Sequence, residues 1–127
     1  MAIPSGSGTE VLKRTTVNAQ SNTATAFRWD GTMATTGTTS YTVPADHIIT
    51  ILSIIACEYN STDEEMNLYM NDGSRDIFLI HAQTIPSKTT FVWNDKFILQ
   101  GGDKLTVNLT SVGNMELVCS YIDQDWT

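Results

Sequence analysis

The chain has 127 residues, of which 41% are hydrophobic, and its fourteen acidic and seven basic side chains give a formal net charge of −7. This length predicts one domain that buries roughly two-thirds of the surface of its unfolded chain, so folding requires neither a metal nor a disulfide. The negative charge, which no basic run offsets, argues against nucleic acid as a partner because phosphates are repelled. No apolar run is long enough to span a membrane.

The start of the chain lacks the basic and apolar regions of a secretory signal, so we expect a protein made in a cytoplasm. In a reducing compartment, Cys57 and Cys119 are interpreted as two buried free thiols, each inside an apolar strand. Their spacing is similar to that of the immunoglobulin cysteine pair. Leu117, however, stands where that pattern places its corner tyrosine, and Trp93 lies too far from Cys57 to be its packing tryptophan.

Residues 1–40 contain the fewest core-forming side chains. The Gly- and Ser-rich residues 1–8 predict a flexible arm, and a weak alternation over 10–19 predicts a first strand. Residues 21–40 are mostly Thr, Ala, Gly and Asn, except for a short predicted strand over 26–30 that carries Phe27 and Trp29. Such a segment buries too little apolar surface to order itself, so we expect residues 1–40 to form an N-terminal arm with weak strands.

Residues 41–127 form the predicted compact domain. Its strands span residues 41–43, 47–59, 66–70, 76–82, 91–99, 105–109 and 115–122, with a polar break at 94–96. The Asn71-Asp72-Gly73 sequence favours a tight hairpin, because these residues tolerate positive φ angles. About seven short strands, frequent turns and no helical periodicity predict an all-β protein, an antiparallel β-sandwich of the jelly-roll-like or immunoglobulin-like kind.

The stretch from 47 to 59 is unusual because it is apolar on both predicted faces. Residues 49, 51, 55 and 57 are predicted to point to one face and residues 48, 52, 54 and 56 to the other, and all eight are Ile, Leu, Ala or Cys. Only one face of a sheet in a small antiparallel domain meets the core, so the second face requires a cover. The cover is either another chain or the residues before Tyr41 of the same chain, and both alternatives stay open.

Two tryptophans lie where a monomer has few side chains to bury them, Trp29 in the arm and Trp126 next to the C-terminus. Tryptophan is enriched among interface anchors, although both tails folding back onto the sandwich would explain them equally well. The predicted partner-contact residues are Phe27, Trp29, Ile48, Ile49, Ile51, Leu52, Ile54, Ile55 and Trp126.

The sequence contains no pattern that indicates catalysis or metal binding. His47 and His81 belong to no closely spaced ligand pair, and the acidic run at residues 63–65 lacks the glycine and terminal glutamate of a calcium loop, so we interpret it as a solvated loop. A nucleophile elbow, a phosphate-binding glycine loop and a Cys-x-x-Cys pair are also missing. The sequence therefore predicts a non-enzyme without a metal or cofactor.

Several segments resemble small β-sandwich virion structural proteins of tailed bacteriophages, of the marine T4-like type. These segments are the opening Ala-Ile-Pro-Ser-Gly-Ser-Gly-Thr-Glu from Ala2, Tyr-Thr-Val-Pro-Ala from Tyr41, Leu-Gln-Gly-Gly-Asp-Lys-Leu from Leu99, and the ending Cys-Ser-Tyr-Ile-Asp-Gln-Asp-Trp from Cys119. The resemblance spans nearly the whole chain, but its motifs are those of turns and strands. It therefore implies a fold and a setting, and it assigns no functional residue.

Such virion proteins decorate or cement capsids, commonly as trimers, or build tail and neck parts. The resemblance implies a homo-oligomeric capsid decoration protein, located in the virion after synthesis in the host cytoplasm, with copies of itself and the major capsid protein as partners. The alternative is a tail, neck or fibre component, including one that binds carbohydrate through exposed aromatic side chains such as Trp93 or Tyr69. A tail hydrolase is a third hypothesis, for which no residue pattern argues.

Overall fold

The computed structural model of the chain describes residues 9–39 and 41–126, which form ten β-strands and contain no helix. The strands are β1 (Thr9–Ala19), β2 (Thr25–Ala26), β3 (Ala34–Thr35), β4 (His47–Glu58), β5 (Glu64–Asn71), β6 (Asp76–Ile85), β7 (Thr90–Trp93), β8 (Phe97–Gln100), β9 (Lys104–Leu109) and β10 (Met115–Asp125). The predicted all-β class and sandwich architecture are confirmed. The arm predicted over residues 1–8 lies outside the described residues.

The strands form two sheets that enclose one apolar core. Sheet A has the order β3-β1-β10-β4, and β7 and β8 both pair with the remaining edge of β4, one after the other along its length. Sheet B has the order β2-β9-β5-β6. Alternating side chains from both sheets fill the space between them, as Leu68 and Leu105 do from sheet B and Ile49 and Leu117 do from sheet A.

The first strand is a full member of sheet A. β1 pairs antiparallel with β10 over its whole length, from Thr9 opposite Asp125 to Ala19 opposite Met115. Every second residue of its C-terminal half points into the core, and Val17 and Ala19 are each 1% exposed. The weak alternation of this segment reflects Lys13 and Thr15 at two inward positions. The Lys13 ammonium contacts Asp123 of β10, whereas the buried Thr15 hydroxyl has no hydrogen-bond partner among the described residues.

Residues 20–39 also belong to the sandwich. Phe27 and Trp29 lie in the core, and the Trp29 ring meets the Tyr121 ring edge-on at 5.0 Å between centroids. Small side chains such as Ala26 and Ala34 are fully buried because the chain passes close to other backbone there. The boundary predicted at residue 41, between an arm of residues 1–40 and a domain of residues 41–127, therefore needs correction: residues 9–39 are part of one sandwich.

A β-bulge in β4 changes the predicted faces of this strand. Ser53 lies opposite Ser120 and Ile51 opposite Tyr121, so Leu52 is an extra residue without a partner on β10. Because one extra residue reverses the alternation, Ile51 before the bulge and Ile54 after it both point into the core. The strand is apolar at odd and even positions because its inward parity changes midway.

At the level of the bulge, the strand pairing along the other edge of β4 is also interrupted. The polar residues 94–96 separate β7 from β8, as Trp93 pairs with Ile54 and Phe97 with Ile51. The predicted polar break therefore lies beside the bulge. The reversed alternation also exposes Cys57, which was predicted to be buried, while Cys119 on β10 is buried.

Candidate functional site: the outer face of sheet A

The side chains of sheet A that point away from sheet B form its outer face, and the strand register arranges them in rows. The first apolar row crosses four strands as Thr16, Val118, Ile55 and Val92. The second crosses them as Leu12, Ile122, Thr50 and Ile98. Each row places three apolar side chains on the outer face of sheet A.

Four of these apolar side chains are strongly exposed: Leu12 is 71% exposed, Ile55 41%, Val92 49% and Ile98 48%. Single exposed apolar side chains are ordinary, but several exposed apolar side chains on one sheet face are typical of interaction surfaces. The two rows lie on the same paired strands, separated by the polar row of Arg14, Ser120 and Ser53.

A groove of about 830 Å³ crosses sheet A between the two rows. It is lined by Leu12, Lys13, Arg14, Asp30, Gly31, Leu52, Ser53 and Ser120. Arg14, Ser120 and Ser53 are register partners across β1, β10 and β4. The two serines are shorter than the branched side chains on either side, so the groove floor is low, and the lining combines the apolar Leu12 and Leu52 with the charged Lys13, Arg14 and Asp30.

The outer face of sheet A carries few charged side chains. Across the paired strands of the outer face, the charged side chains are Glu10, Arg14 and Glu116. Glu10 accepts a hydrogen bond from the Gln124 amide at 2.7 Å. A protein with a net charge of −7 thus presents one nearly neutral face, which reduces the repulsion between two copies that approach through it.

One edge of β1 is open beside this face. β1 pairs with β3 only at Val17 and Asn18, so among the described residues no strand covers the same edge from residue 9 to residue 16. Unpaired N–H and C=O groups of an edge strand are a template for the addition of another strand. The groove and this free edge meet at Lys13.

Charged groups stabilise the end of the sandwich next to this edge. Asp123 is 4% exposed, and its two carboxylate oxygens contact the Lys13 ammonium at 2.8 Å and His47 Nδ1 at 2.7 Å. His47 Nε2 lies 3.6 Å from an oxygen of Asp125. Burial and the nearby Asp123 also raise the pKa of Tyr121 to about 12, so its phenol stays protonated in the core. These groups connect β1, β4 and β10 and leave the outer face itself free.

Six of the nine predicted contact residues are buried inside the single chain: Phe27, Trp29, Ile48, Ile49, Ile51 and Ile54. For these six the interface prediction needs correction, because the bulge turns Ile54 inward and the sandwich encloses the 27–29 segment. Trp126 is half-buried, and its backbone N–H donates to the Asp46 carbonyl at 3.0 Å. Ile55 on the exposed face and Leu52 in the groove are the two predicted residues that lie on the candidate surface.

Sequence reasoning missed Leu12, Val92 and Ile98 on this surface. The alternation along their own strands would have found them, because each of the three stands between two residues at inward positions. The predicted glycan-binding candidate Trp93 packs against the core, and its indole Nε1 has no hydrogen-bond partner within the described residues. Tyr69, the other candidate, lies on sheet B.

The acidic loop predicted to be solvated is partly buried. Glu64 is 3% exposed and accepts a hydrogen bond from the Ser111 hydroxyl at 3.0 Å. The Asp63 carboxylate accepts one from the backbone N–H of Ser87 at 2.9 Å. These carboxylates hold loops together at one end of the sandwich.

Within residues 9–39 and 41–126, no group of three or more His, Cys, Asp or Glu side chains has the arrangement of a metal site. In the same residues no helix has the length and hydropathy to cross a membrane.

Comparison with known proteins shows a likeness in fold to a solved structure. No protein-family model matches the chain, and no curated protein matches it. A solved structure from the Bacillus endospore appendages, described as a novel family of disulfide-linked pili, is similar in fold with a TM-score of 0.55. The two chains share 12% identity, over 100% of this chain and 97% of the other, so the likeness concerns the fold alone.

Proposed function

We propose that this protein is a structural subunit that assembles with copies of itself through the outer face of sheet A. The observation that carries the proposal is the pair of apolar rows on either side of the groove, whose four most exposed members are Leu12, Ile55, Val92 and Ile98. Burying exposed apolar surface contributes roughly 25 cal/mol per Å², so a second copy on this face removes an unfavourable contact with water. The low charge of the face supports the same partner.

The free edge of β1 supports a second contact between copies. An extended segment of a neighbour that pairs with residues 9–16 would satisfy backbone groups that have no strand partner in the described chain. Residues 1–8 directly precede this edge, and an arm of that length extends at most about 28 Å. We therefore assign this contact to the arm of an adjacent copy.

The proposed setting is the virion of a tailed bacteriophage, with the protein as a homo-oligomeric capsid decoration or cement subunit, commonly a trimer in proteins of this kind. The sequence resemblance supports this setting, and the assembly surface is compatible with it. The pili of the Bacillus endospore appendages provide an example of a similar fold in an assembled fibre, as a fold-level analogy. A tail, neck or fibre component is the second setting, with the same assembly surface.

The assembly surface is tested by sedimentation over a range of concentrations. We expect the natural chain to form a discrete oligomer and the double variant Ile55→Thr/Val92→Thr to associate at least tenfold more weakly, because both side chains lose exposed apolar surface while keeping a β-branched shape. Phe78→Ser, on the other sheet, is the matched control and should associate as the natural chain does. Equal association of the double variant and the natural chain would overturn the proposed surface.

The setting is tested on particles. The purified protein should bind phage shells that lack it, and its copy number in intact virions should match the capsid lattice. A handful of copies per particle would instead indicate a tail or neck part. A chain that stays monomeric at high concentration and also fails to bind such shells contradicts both the setting and the assembly.

A further inference from the structure

Sheet B carries a small aromatic surface on its outer face. Tyr69 on β5 lies opposite Phe78 on β6, and their rings are 5.2 Å apart between centroids. The His81 ring meets Phe78 edge-on at 5.0 Å. Phe78 is 52% exposed, whereas Ile80 and Ile85 on the same strand are buried. The sandwich therefore presents ring faces to solvent on the side opposite the proposed assembly surface.

A row of polar side chains lies beside these rings. Lys104, Asn71 and Asp76 are register partners across β9, β5 and β6. The Asn71 amide donates to the Asp76 carboxylate at 2.9 Å, and its oxygen accepts from the Gly73 N–H at 2.8 Å. These bonds fix the amide and the carboxylate in place. No hydrogen bond or ion pair from the described residues engages the Lys104 ammonium, which leaves it available to a ligand.

Beside the polar row lies a groove of about 220 Å³, which Tyr69 lines and from whose lining Phe78 and His81 are absent. Tyr69 and Thr106 form its floor together with the polar row, and Ala24 and Thr39 close one side. Burial and the neighbouring Asp76 raise the pKa of Tyr69, so its hydroxyl is a neutral donor at physiological pH. The groove thus offers an ammonium, an amide and a carboxylate beside the ring and hydroxyl of Tyr69.

We propose that this groove binds a neutral saccharide, one sugar ring at a time. A sugar ring has an apolar face of C–H groups, whose partial positive charge is attracted to the negative face of an aromatic ring. Its hydroxyls both donate and accept, which suits a mixed set of carboxylate, amide and ammonium groups. Asp76 and the net charge of −7 oppose an anionic ligand. The size of the groove restricts contact to about one ring, since ligand sites for larger molecules are typically 300–1,000 Å³.

This saccharide site is independent of the proposed assembly, because it lies on the other sheet. The test is a titration of the isotopically labelled full chain, followed by nuclear magnetic resonance, with glucose, galactose, mannose and N-acetylglucosamine as probes. We expect at least one of them to shift the backbone amide signals of Tyr69, Asn71, Phe78 and Thr106, with a Kd on the order of 1–10 mM, as a shallow site for one ring allows.

Two variants locate the binding. Tyr69→Ala removes the ring that lines the groove, and Asp76→Asn keeps the size of the side chain while removing its charge; both residues lie on the outer face of sheet B, so both variants should fold. Each should weaken binding at least fivefold, whereas Val112→Ala, at an exposed site outside both proposed surfaces, should bind as the natural chain does. The proposal is overturned if no probe shifts these signals at ten times the expected Kd, if Tyr69→Ala binds like the natural chain, or if glucuronic acid binds more tightly than glucose.

Discussion

The two cysteines illustrate how strand position, more than residue type, determines the environment of a side chain in this sandwich. Cys119 points into the core from β10, and its burial raises the pKa of the thiol to about 12. Cys57 is exposed on the outer face of sheet A, opposite Glu116. Their side chains leave the same sheet in opposite directions, so no intramolecular disulfide joins them. The reactive form of a thiol is the thiolate, so the two groups should differ in reactivity.

We expect a maleimide reagent to label Cys57 in the native chain and to label Cys119 only after unfolding. The measurement is the mass of the labelled protein with time, at a dilution where the chain is monomeric, with Cys57→Ser as the control that should remain unlabelled. Equal labelling of both thiols in the native chain would contradict the placement of Cys57 on the outer face and Cys119 in the core. At concentrations where copies associate, labelling of Cys57 should slow, because its row adjoins Ile55.

At the scale of the element, the bulge in β4 decides which of its isoleucines stabilise the fold. Ile51 and Ile54 stand on opposite sides of the extra Leu52 and both point inward, whereas Ile55 is exposed. A strand of this length without the bulge would have placed part of its apolar set in water. The bulge therefore allows one long strand to serve the core at both of its ends.

A matched pair of substitutions tests this parity. Ile51→Thr should lower the free energy of unfolding by at least about 2 kcal/mol, because it removes packed carbon atoms and buries a hydroxyl. Ile55→Thr should change the monomer by no more than about 0.5 kcal/mol, because the site is exposed. Urea denaturation of both variants at low protein concentration gives the two values. Similar losses for both would place Ile55 in the core.

The sequence predicted the strands whose alternation is regular and missed the bulge in β4. Met66, Leu68 and Met70 alternate cleanly, and the structure contains β5 at that place with a turn near Gly73. The bulge has no such signal, since inserting Leu52 into an isoleucine-rich run changes neither composition nor local propensity. Its position follows from pairing with β10, a contact between segments far apart in the chain, so parity after Ile51 could not be predicted locally.

At the scale of the whole molecule, the sandwich has two outer faces of different chemistry. Sheet A presents apolar rows, a groove and an open strand edge, and sheet B presents aromatic rings beside fixed polar groups. Of the candidate surface, the sequence supplied Leu52 and Ile55, because a two-faced apolar strand is visible in one segment. The remainder depends on which strands become neighbours: Leu12 and Ile98 share a row only because β1, β10, β4 and β8 lie side by side.

Two truncations separate the arm from the fold. Removal of residues 1–8 leaves β1 complete, so the thermal midpoint of the monomer should stay within a few degrees of its original value, while self-association weakens if the arm adds to a neighbour. Removal of residues 1–19 deletes β1, which pairs with β10 along its whole length, and should prevent stable folding. Calorimetry and sedimentation measure the two effects. Unchanged association of the shorter truncation would limit assembly to the face of sheet A.

The pairing of β1 with β10 also has a consequence for synthesis. Lys13 and Asp123, which contact each other across this pair, are 110 residues apart in sequence. During translation β1 is made long before its partner β10, so sheet A cannot close until β10 has left the ribosome. Such non-local pairing makes folding slow and leaves early strands exposed to aggregation. The first third of the chain is polar and rich in threonine. While β1 has no partner strand, this segment therefore offers little apolar surface to other nascent chains.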